Sequence, residues 1–224
     1  MAELIVAFDL PSGREALALA ARLPGLRWAK IGPVLYTREG PAIVREFVAR
    51  GLRVFLDLKR HDIPSVVAEA VTAAAGQGVA MATVHTLGGP AMLAAAAAAA
   101  GNVALVGVTV LTSHDTSEVE QVLGRGVPDL GFEAERLARL AVAARLSGVV
   151  ASGRELALLR AALGPDLWIL VPGIRDPGDS TGDQRRSVTA AEAVRLGATH
   201  LVVGRHLTGA ADPSAAYQRL VASL

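Results

Sequence analysis

The sequence predicts a (β/α)8 barrel, an α/β fold of the TIM-barrel kind, and three observations carry that prediction. Eight short apolar runs rich in Val, Ile and Leu recur along the chain. Stretches with helical periodicity separate them. The spacing is even, since 224 residues over eight units gives about 28 residues per strand and helix. The runs are continuous rather than alternating, as in strands of a parallel sheet covered on both faces. An open doubly wound sheet shares the strand–helix alternation, but eight units in one chain favour closure. No linker rich in Pro, Gly or Ser interrupts the chain, so residues 1–224 are assigned to one domain.

In order, the strands are expected at residues 4–8, 28–31, 54–58, 79–84, 103–108, 148–151, 167–171 and 200–203. Each is followed by a helix, and capping signatures mark several starts: Ser12 with Glu15, Asp115 with Glu118, Ser152 with Glu155, and Thr189 with Glu192. Asp212 before Pro213 marks another, with a cap and then Pro in the first turn. Residues 91–100 include seven consecutive Ala and read as a packed helix, too short to span a bilayer.

Composition narrows the function. With 52% hydrophobic and 19% charged residues, the chain can bury a large core. A net charge of +1 provides no basic footprint for nucleic acid, and eight aromatic residues are too few for base-stacking platforms. Cys is absent, which excludes disulfides, thiolate nucleophiles and Cys-ligated metals and fits the cytoplasm. No cationic start or cleavage pattern opens the chain. His61, His114, His200 and His206 show no metal-ligand spacing. No G-x-S-x-G or Walker loop is present.

In a barrel of this kind the chemistry sits at the C-terminal ends of the strands. Strand one ends in Ala7-Phe8-Asp9, strand two in Ala29-Lys30-Ile31-Gly32, and strand three in Asp57-Leu58-Lys59-Arg60-His61-Asp62. Asp57 and Lys59 are two apart, so an extended strand points both to one side, about 7 Å from each other. With Leu56 and Leu58 facing the helices, that side is the barrel mouth. Lys30 on the next strand can extend the alternation of charge, and carboxylates beside a lysine favour its ammonium form. The same residues are compatible with a structural ion pair at the rim, with Asp62 capping the helix that begins near Pro64.

The last strand ends in Val203-Gly204-Arg205, a backbone approach followed by a cationic fork. The long polar loop at residues 172–186 is expected to cover a phosphate, with a surface insertion as the alternative. His85, before Gly88-Gly89, could be a ligand or a base, or a rim histidine with a structural hydrogen bond. The hydroxyls of Thr109, Thr112 and Ser113 could bond a heterocycle or begin a turn.

These residues resemble the orotidine 5′-phosphate decarboxylase family. Residues 57–64, Asp-Leu-Lys-Arg-His-Asp-Ile-Pro, match its D-x-K-x-x-D-I-P signature. Ala7-Phe8-Asp9, Lys30-Ile31-Gly32, His85 with Gly88-Gly89, Val110-Leu111-Thr112-Ser113, Pro172-Gly173-Ile174-Arg175, Gly182-Asp183-Gln184 and Val203-Gly204-Arg205 follow in the family's order. Val171 replaces a usual Thr, and Thr86-Leu87 replaces a smaller pair.

The resemblance implies decarboxylation of orotidine 5′-monophosphate to uridine 5′-monophosphate and CO2, without cofactor or metal, in pyrimidine biosynthesis. It implies that Lys59 protonates C6, that Asp57 sits beside the substrate carboxylate, and that Lys30 and Asp62 complete the catalytic charge network. Asp9 and Lys30 would hold the ribose. Thr112 would contact the pyrimidine, with Ser113 the alternative. Gln184, Gly204 and Arg205 would bind phosphate, with Arg175 supporting the loop and Pro172 lining the site. It also implies a homodimer with Asp62 and Ile63 contributed across the interface. The rivals are a magnesium-dependent sugar-phosphate enzyme of the same superfamily, which would carry an acidic residue in place of Lys30, and a silent phosphate-binding barrel.

Overall fold

The computed structural model describes residues 2–175 and 188–224. Eight parallel strands close in chain order: β1 (Glu3–Ala7), β2 (Trp28–Ile31), β3 (Arg53–Arg60), β4 (Met81–His85), β5 (Ala104–Val108), β6 (Gly148–Val150), β7 (Trp168–Pro172) and β8 (His200–Val203). β8 returns to β1, with Leu4 opposite Leu201 and Ile5 opposite Val202. The expected strands all form. The fourth starts two residues later than expected, and the third runs on to Arg60.

The helical layer is richer than one helix per strand. α1 (Gly13–Ala21) follows β1, and α2 (Pro33–Glu39) and α3 (Pro41–Ala49) follow β2. α4 (Pro64–Ala75) follows β3, and α5 (Gly89–Ala99) follows β4 behind a 3₁₀ turn. α6 (Thr116–Leu123) and α7 (Leu130–Ala143) follow β5, α8 (Leu156–Leu163) follows β6, and α9 (Ala190–Arg195) precedes β8. α10 (Arg205–Thr208) and α11 (Pro213–Ala222) close the chain.

Local chemistry explains the starts. Ser12 accepts from the Glu15 amide, Thr189 from that of Glu192, and Asp212 from those of Ser214 and Ala215. Asp115 and Glu118 form a reciprocal capping box at α6. Ser152 and Glu155 form another, but it caps the 3₁₀ turn leading into α8. Asp62 does not cap α4. The cap position is Ile63, and Asp62 Oδ1 accepts from the Ile63 amide at 2.7 Å. The reason is spacing: Pro64 is the first helical residue and has no N–H to offer.

The strands alternate between two apolar layers. Val6, Ala29, Leu56, Ala82, Val149, Ile169 and Leu201 pack outward against the helices. Ile5, Trp28, Phe55, Met81, Val106, Leu170 and Val202 fill the barrel. Below them His200 is sandwiched by tryptophans, with ring centroids 4.9 Å from Trp168 and 5.8 Å from Trp28. Arg53 lies over Trp28 at 4.1 Å. In α5 the Ala run buries Met92, Leu93 and Ala96. Among the described residues, no helix is long and apolar enough to cross a membrane.

The inner layer determines what the mouth contains. Side chains repeat every second residue along a strand. Two positions beyond Ala7 is Asp9; beyond Trp28, Lys30; beyond Phe55, Asp57; beyond Met81, Thr83; beyond Val106, Val108; beyond Leu170, Pro172; and beyond Val202, Gly204. Most of these positions border one cavity at the C-terminal end of the barrel.

Candidate active site

The cavity has a volume of about 490 Å³. Its wall falls into three arcs. β1, β2 and β3 contribute the charged groups Asp9, Lys30, Asp57 and Lys59. β5 and β6 contribute the apolar Val108, Val110, Val150 and Ala151. β7, β8 and their loops contribute Pro172, Gly173, Arg175, Gly204 and Arg205.

The charged arc is one continuous chain of ion pairs. Lys30 Nζ donates to Asp9 at 3.3 and 3.1 Å, and lies 3.5 Å from Asp57 Oδ2. Lys59 Nζ donates to both Asp57 oxygens at 3.0 Å. Lys30 and Asp57 are buried, whereas the Lys59 side chain is 38% exposed and opens to the cavity. Burial alone pushes the Asp57 carboxyl up. The charges of Lys30 and Lys59 and hydrogen bonds from Lys59 and Thr83 outweigh it, and hold the group below the ordinary carboxylate range. Asp57 therefore stays an anion between two ammonium groups. Gly32 makes this packing possible, because a Cβ there would lie 2.3 Å from Asp9 Oδ1 and 2.8 Å from Lys30 Nζ.

Lys59 does not continue the strand as the alternation expects. Its φ is +46°, in the left-handed region that non-glycine residues rarely adopt. The β3–β4 register records the same event. Leu56 faces Ala82 and Arg60 faces Val84, so four residues of β3 are crossed while β4 crosses two. The bulge turns Lys59 back over Asp57 and brings its ammonium onto the carboxylate.

The structure gathers Asp9, Lys30, Asp57, Lys59, Thr112, Pro172, Arg175, Gly204 and Arg205 around one cavity. Both Thr112 and Ser113 line it. Asp62 and Ile63 do not. Both are exposed, Ile63 at 62%, and neither lines the cavity. Gln184 and most of the 172–186 loop lie outside the described residues. The described flanks of that loop are joined, with the Arg175 amide donating to the Val188 carbonyl at 3.1 Å. His85 is held structurally. Its Nδ1 accepts from the Leu87 amide at 3.3 Å, and its ring stacks on His61 at 5.6 Å. Burial, followed by the charges of His61, Lys59 and His114, holds its imidazole down to about 4.

Sequence reasoning passed over Thr83. Threonine in an apolar run reads as an ordinary strand former. Only its place two residues beyond Met81 on β4 marks it for the mouth.

The sequence matches the Orotidine 5′-phosphate decarboxylase / HUMPS family over residues 2–220. The chain belongs to this family. An orotidine 5′-phosphate decarboxylase of Halorhodospira halophila is 48% identical over 226 residues, covering 99% of this chain and 95% of that protein. One of Opitutus terrae is also 48% identical, with 99% and 98% covered. Among solved structures, the orotidine 5′-phosphate decarboxylase of Lactobacillus acidophilus superposes with a TM-score of 0.88 at 30% identity, covering 100% of this chain and 99% of that one. An uncharacterized conserved protein from Geobacillus kaustophilus gives 0.84 at 34% identity, with 98% and 99% covered.

Two departures from the decarboxylase family's pattern lie away from the cavity wall. Val171 is fully buried in the outer layer against the helices. Thr86 is buried, and its hydroxyl donates to the Val108 carbonyl at 2.7 Å. Neither substitution takes a polar group from the cavity.

Proposed function

We propose that this protein decarboxylates orotidine 5′-monophosphate to uridine 5′-monophosphate and CO2 in UMP biosynthesis, with residues 1–224 acting as one cytoplasmic catalytic domain. The observation that carries this reading is the Asp9–Lys30–Asp57–Lys59 chain on a cavity whose other arc holds Arg175 and Arg205. One arc suits the reacting carbon, and the cationic one suits a phosphate.

The chemistry follows from the charges. As the bond between C6 and the carboxylate breaks, its electron pair stays on C6 and CO2 departs. The Lys59 ammonium, held on Asp57, stabilises that pair by its charge and then gives C6 a proton. Solvent reprotonates Lys59. Asp57 lies beside the substrate carboxylate and holds the Lys59 side chain in place before substrate arrives. The apolar arc of Val108, Val110 and Val150 suits a neutral CO2 better than a carboxylate. Lys30 and Asp9 hold the ribose, Thr112 or Ser113 meets the pyrimidine, and Gln184, Gly204, Arg205 and Arg175 serve the phosphate. Arg175 Nε is buried with no partner among the described residues, which favours an anion beside it.

Neither cofactor nor metal is needed on this reading. The Lys30 ammonium already sits 3.1 Å from Asp9 and 3.5 Å from Asp57, and would repel a divalent cation at those carboxylates. Asp62 and Ile63, exposed beside this arc's strand, would enter the site of a second copy in a homodimer. The test is incubation with orotidine 5′-monophosphate under exhaustive chelation, following uridine 5′-monophosphate and CO2. Turnover that persists supports the reading. Turnover that vanishes and returns with magnesium overturns the metal-free reading, and no product at all leaves the sugar-phosphate rival and the silent barrel.

A further inference from the structure

The bulge in β3 costs the sheet a hydrogen bond, and one side chain replaces it. Where four residues of β3 pass two of β4, Lys59 falls inside the register shift and has no paired residue on β4. Its amide donates instead to Thr83 Oγ1 at 2.8 Å. The Thr83 hydroxyl in turn donates to Asp57 Oδ1 at 3.1 Å. A hydroxyl has one hydrogen, so the direction of this relay is determined: Lys59 amide to Thr83 oxygen, Thr83 hydrogen to Asp57. Thr83 is fully buried, so water cannot take either role.

We infer that Thr83 is a positioning residue for the reaction: its hydroxyl holds Lys59 in the left-handed turn and fixes the Asp57 carboxylate onto the Lys59 ammonium. Three strained or buried features depend on that one oxygen. They are a non-glycine residue at φ +46°, an amide removed from the ladder and a buried carboxylate. Thr83 does line up with the mouth by strand alternation, but its hydroxyl is spent on protein groups. It acts on substrate only through its neighbours.

This inference rests on the proposed decarboxylation, and its test separates the two. Wild-type turnover of orotidine 5′-monophosphate tests the reaction. Comparison of Thr83→Val with Thr83→Ser tests the relay. Val keeps the shape and branching and removes the hydroxyl. Ser keeps the hydroxyl and removes the methyl group. The expected result for Thr83→Val is a fall in kcat of about 10- to 100-fold with KM within about threefold, from the loss of hydrogen bonding to a charged group. Thr83→Ser is expected to recover kcat to within about threefold of wild type.

The pH profile adds a readout that packing alone would not move. The groups facing Asp57 are Lys30 from β2, Lys59 from β3 and Thr83 from β4, with Asp9 of the β1 end behind Lys30 and His85 near Lys59. Without the Thr83 bond the anion is less favoured, so the acid limb of kcat moves to higher pH in Thr83→Val and stays put in Thr83→Ser. Should Thr83→Val fail to fold, Thr83→Ala takes its place with the same expectation. A hydroxyl-free variant with kcat within about twofold of wild type and an unmoved acid limb overturns the inference. So does a Thr83→Ser variant as impaired as the hydroxyl-free one.

Discussion

His200 makes the floor of the barrel sensitive to acid, and the size of the effect can be worked from its surroundings. The ring is buried between Trp28 and Trp168, with Nδ1 2.9 Å from Thr199 Oγ1. Burial, and then the charge of Arg53, lower its pKa from 6.5 to about 4. The folded protein therefore keeps His200 neutral while the unfolded chain protonates it. Between those two values the unfolded state binds one more proton, so stability rises with pH. The contribution is fully present above 6.5, is lost as pH falls toward 4, and changes little below that. The slope is about 1.4 kcal/mol per pH unit, and the whole loss amounts to about 3 kcal/mol. His200→Gln has no proton to gain. Urea unfolding of both proteins from pH 7 to 4 measures the difference, which also cancels the carboxylates and His85 common to the two. Wild type should lose about 2–3 kcal/mol relative to the variant across that range. Parallel stability curves would refute the account of a neutral, buried His200.

Three further outcomes concern the cavity. Lys59→Ala should lower kcat by about 10²- to 10⁴-fold or more with substrate affinity largely kept, as expected for a proton donor; steady-state kinetics and substrate titration check it, and weakened affinity with normal kcat contradicts it. Arg205→Ala should penalise the nucleotide heavily and orotidine lacking phosphate little, and equal penalties on both would move Arg205 away from the phosphate. Lys59→Ala and Asp62→Ala, each inactive alone, should recover roughly a quarter of wild-type activity when co-refolded, because half the dimers are mixed and each mixed dimer has one intact site. No recovery would mean that Asp62 serves its own chain.

How far the sequence discloses this molecule depends on whether a feature follows the strand period. Asp9, Lys30 and Asp57 each lie two residues beyond an inward apolar side chain, so alternation places them at the mouth before any coordinates are known. The capping pairs at Ser12, Asp115 and Thr189 are local in the same way, and their helices begin where the pairs stand. Lys59 is legible as a candidate but not in its conformation. A bulge is a mismatch between two strands, and neither strand shows it alone. Thr83 is legible by alternation as a mouth position, but its role is not, since that role appears only opposite the mismatch. The second helices after β2, β5 and β8 follow from where caps and glycines fall inside one connection, as at Gly40 between α2 and α3 with φ +62°. Asp62 and Ile63 are legible as residues, but their proposed destination is another copy of the chain.

The packed inner layer has a kinetic consequence on the proposed reaction. Phe55, Trp28, Met81 and Leu170 plug the barrel axis beneath the charged arc, leaving the cavity a cul-de-sac rather than a passage. Among the described residues the cavity opens at the strand ends, where substrate, carbon dioxide and nucleotide product would share one doorway. The nucleotide product, retained by its phosphate, stands in the path of the next substrate. The barrel floor thus makes product and substrate rivals for one berth, so the grip on phosphate that speeds capture also delays the next turnover.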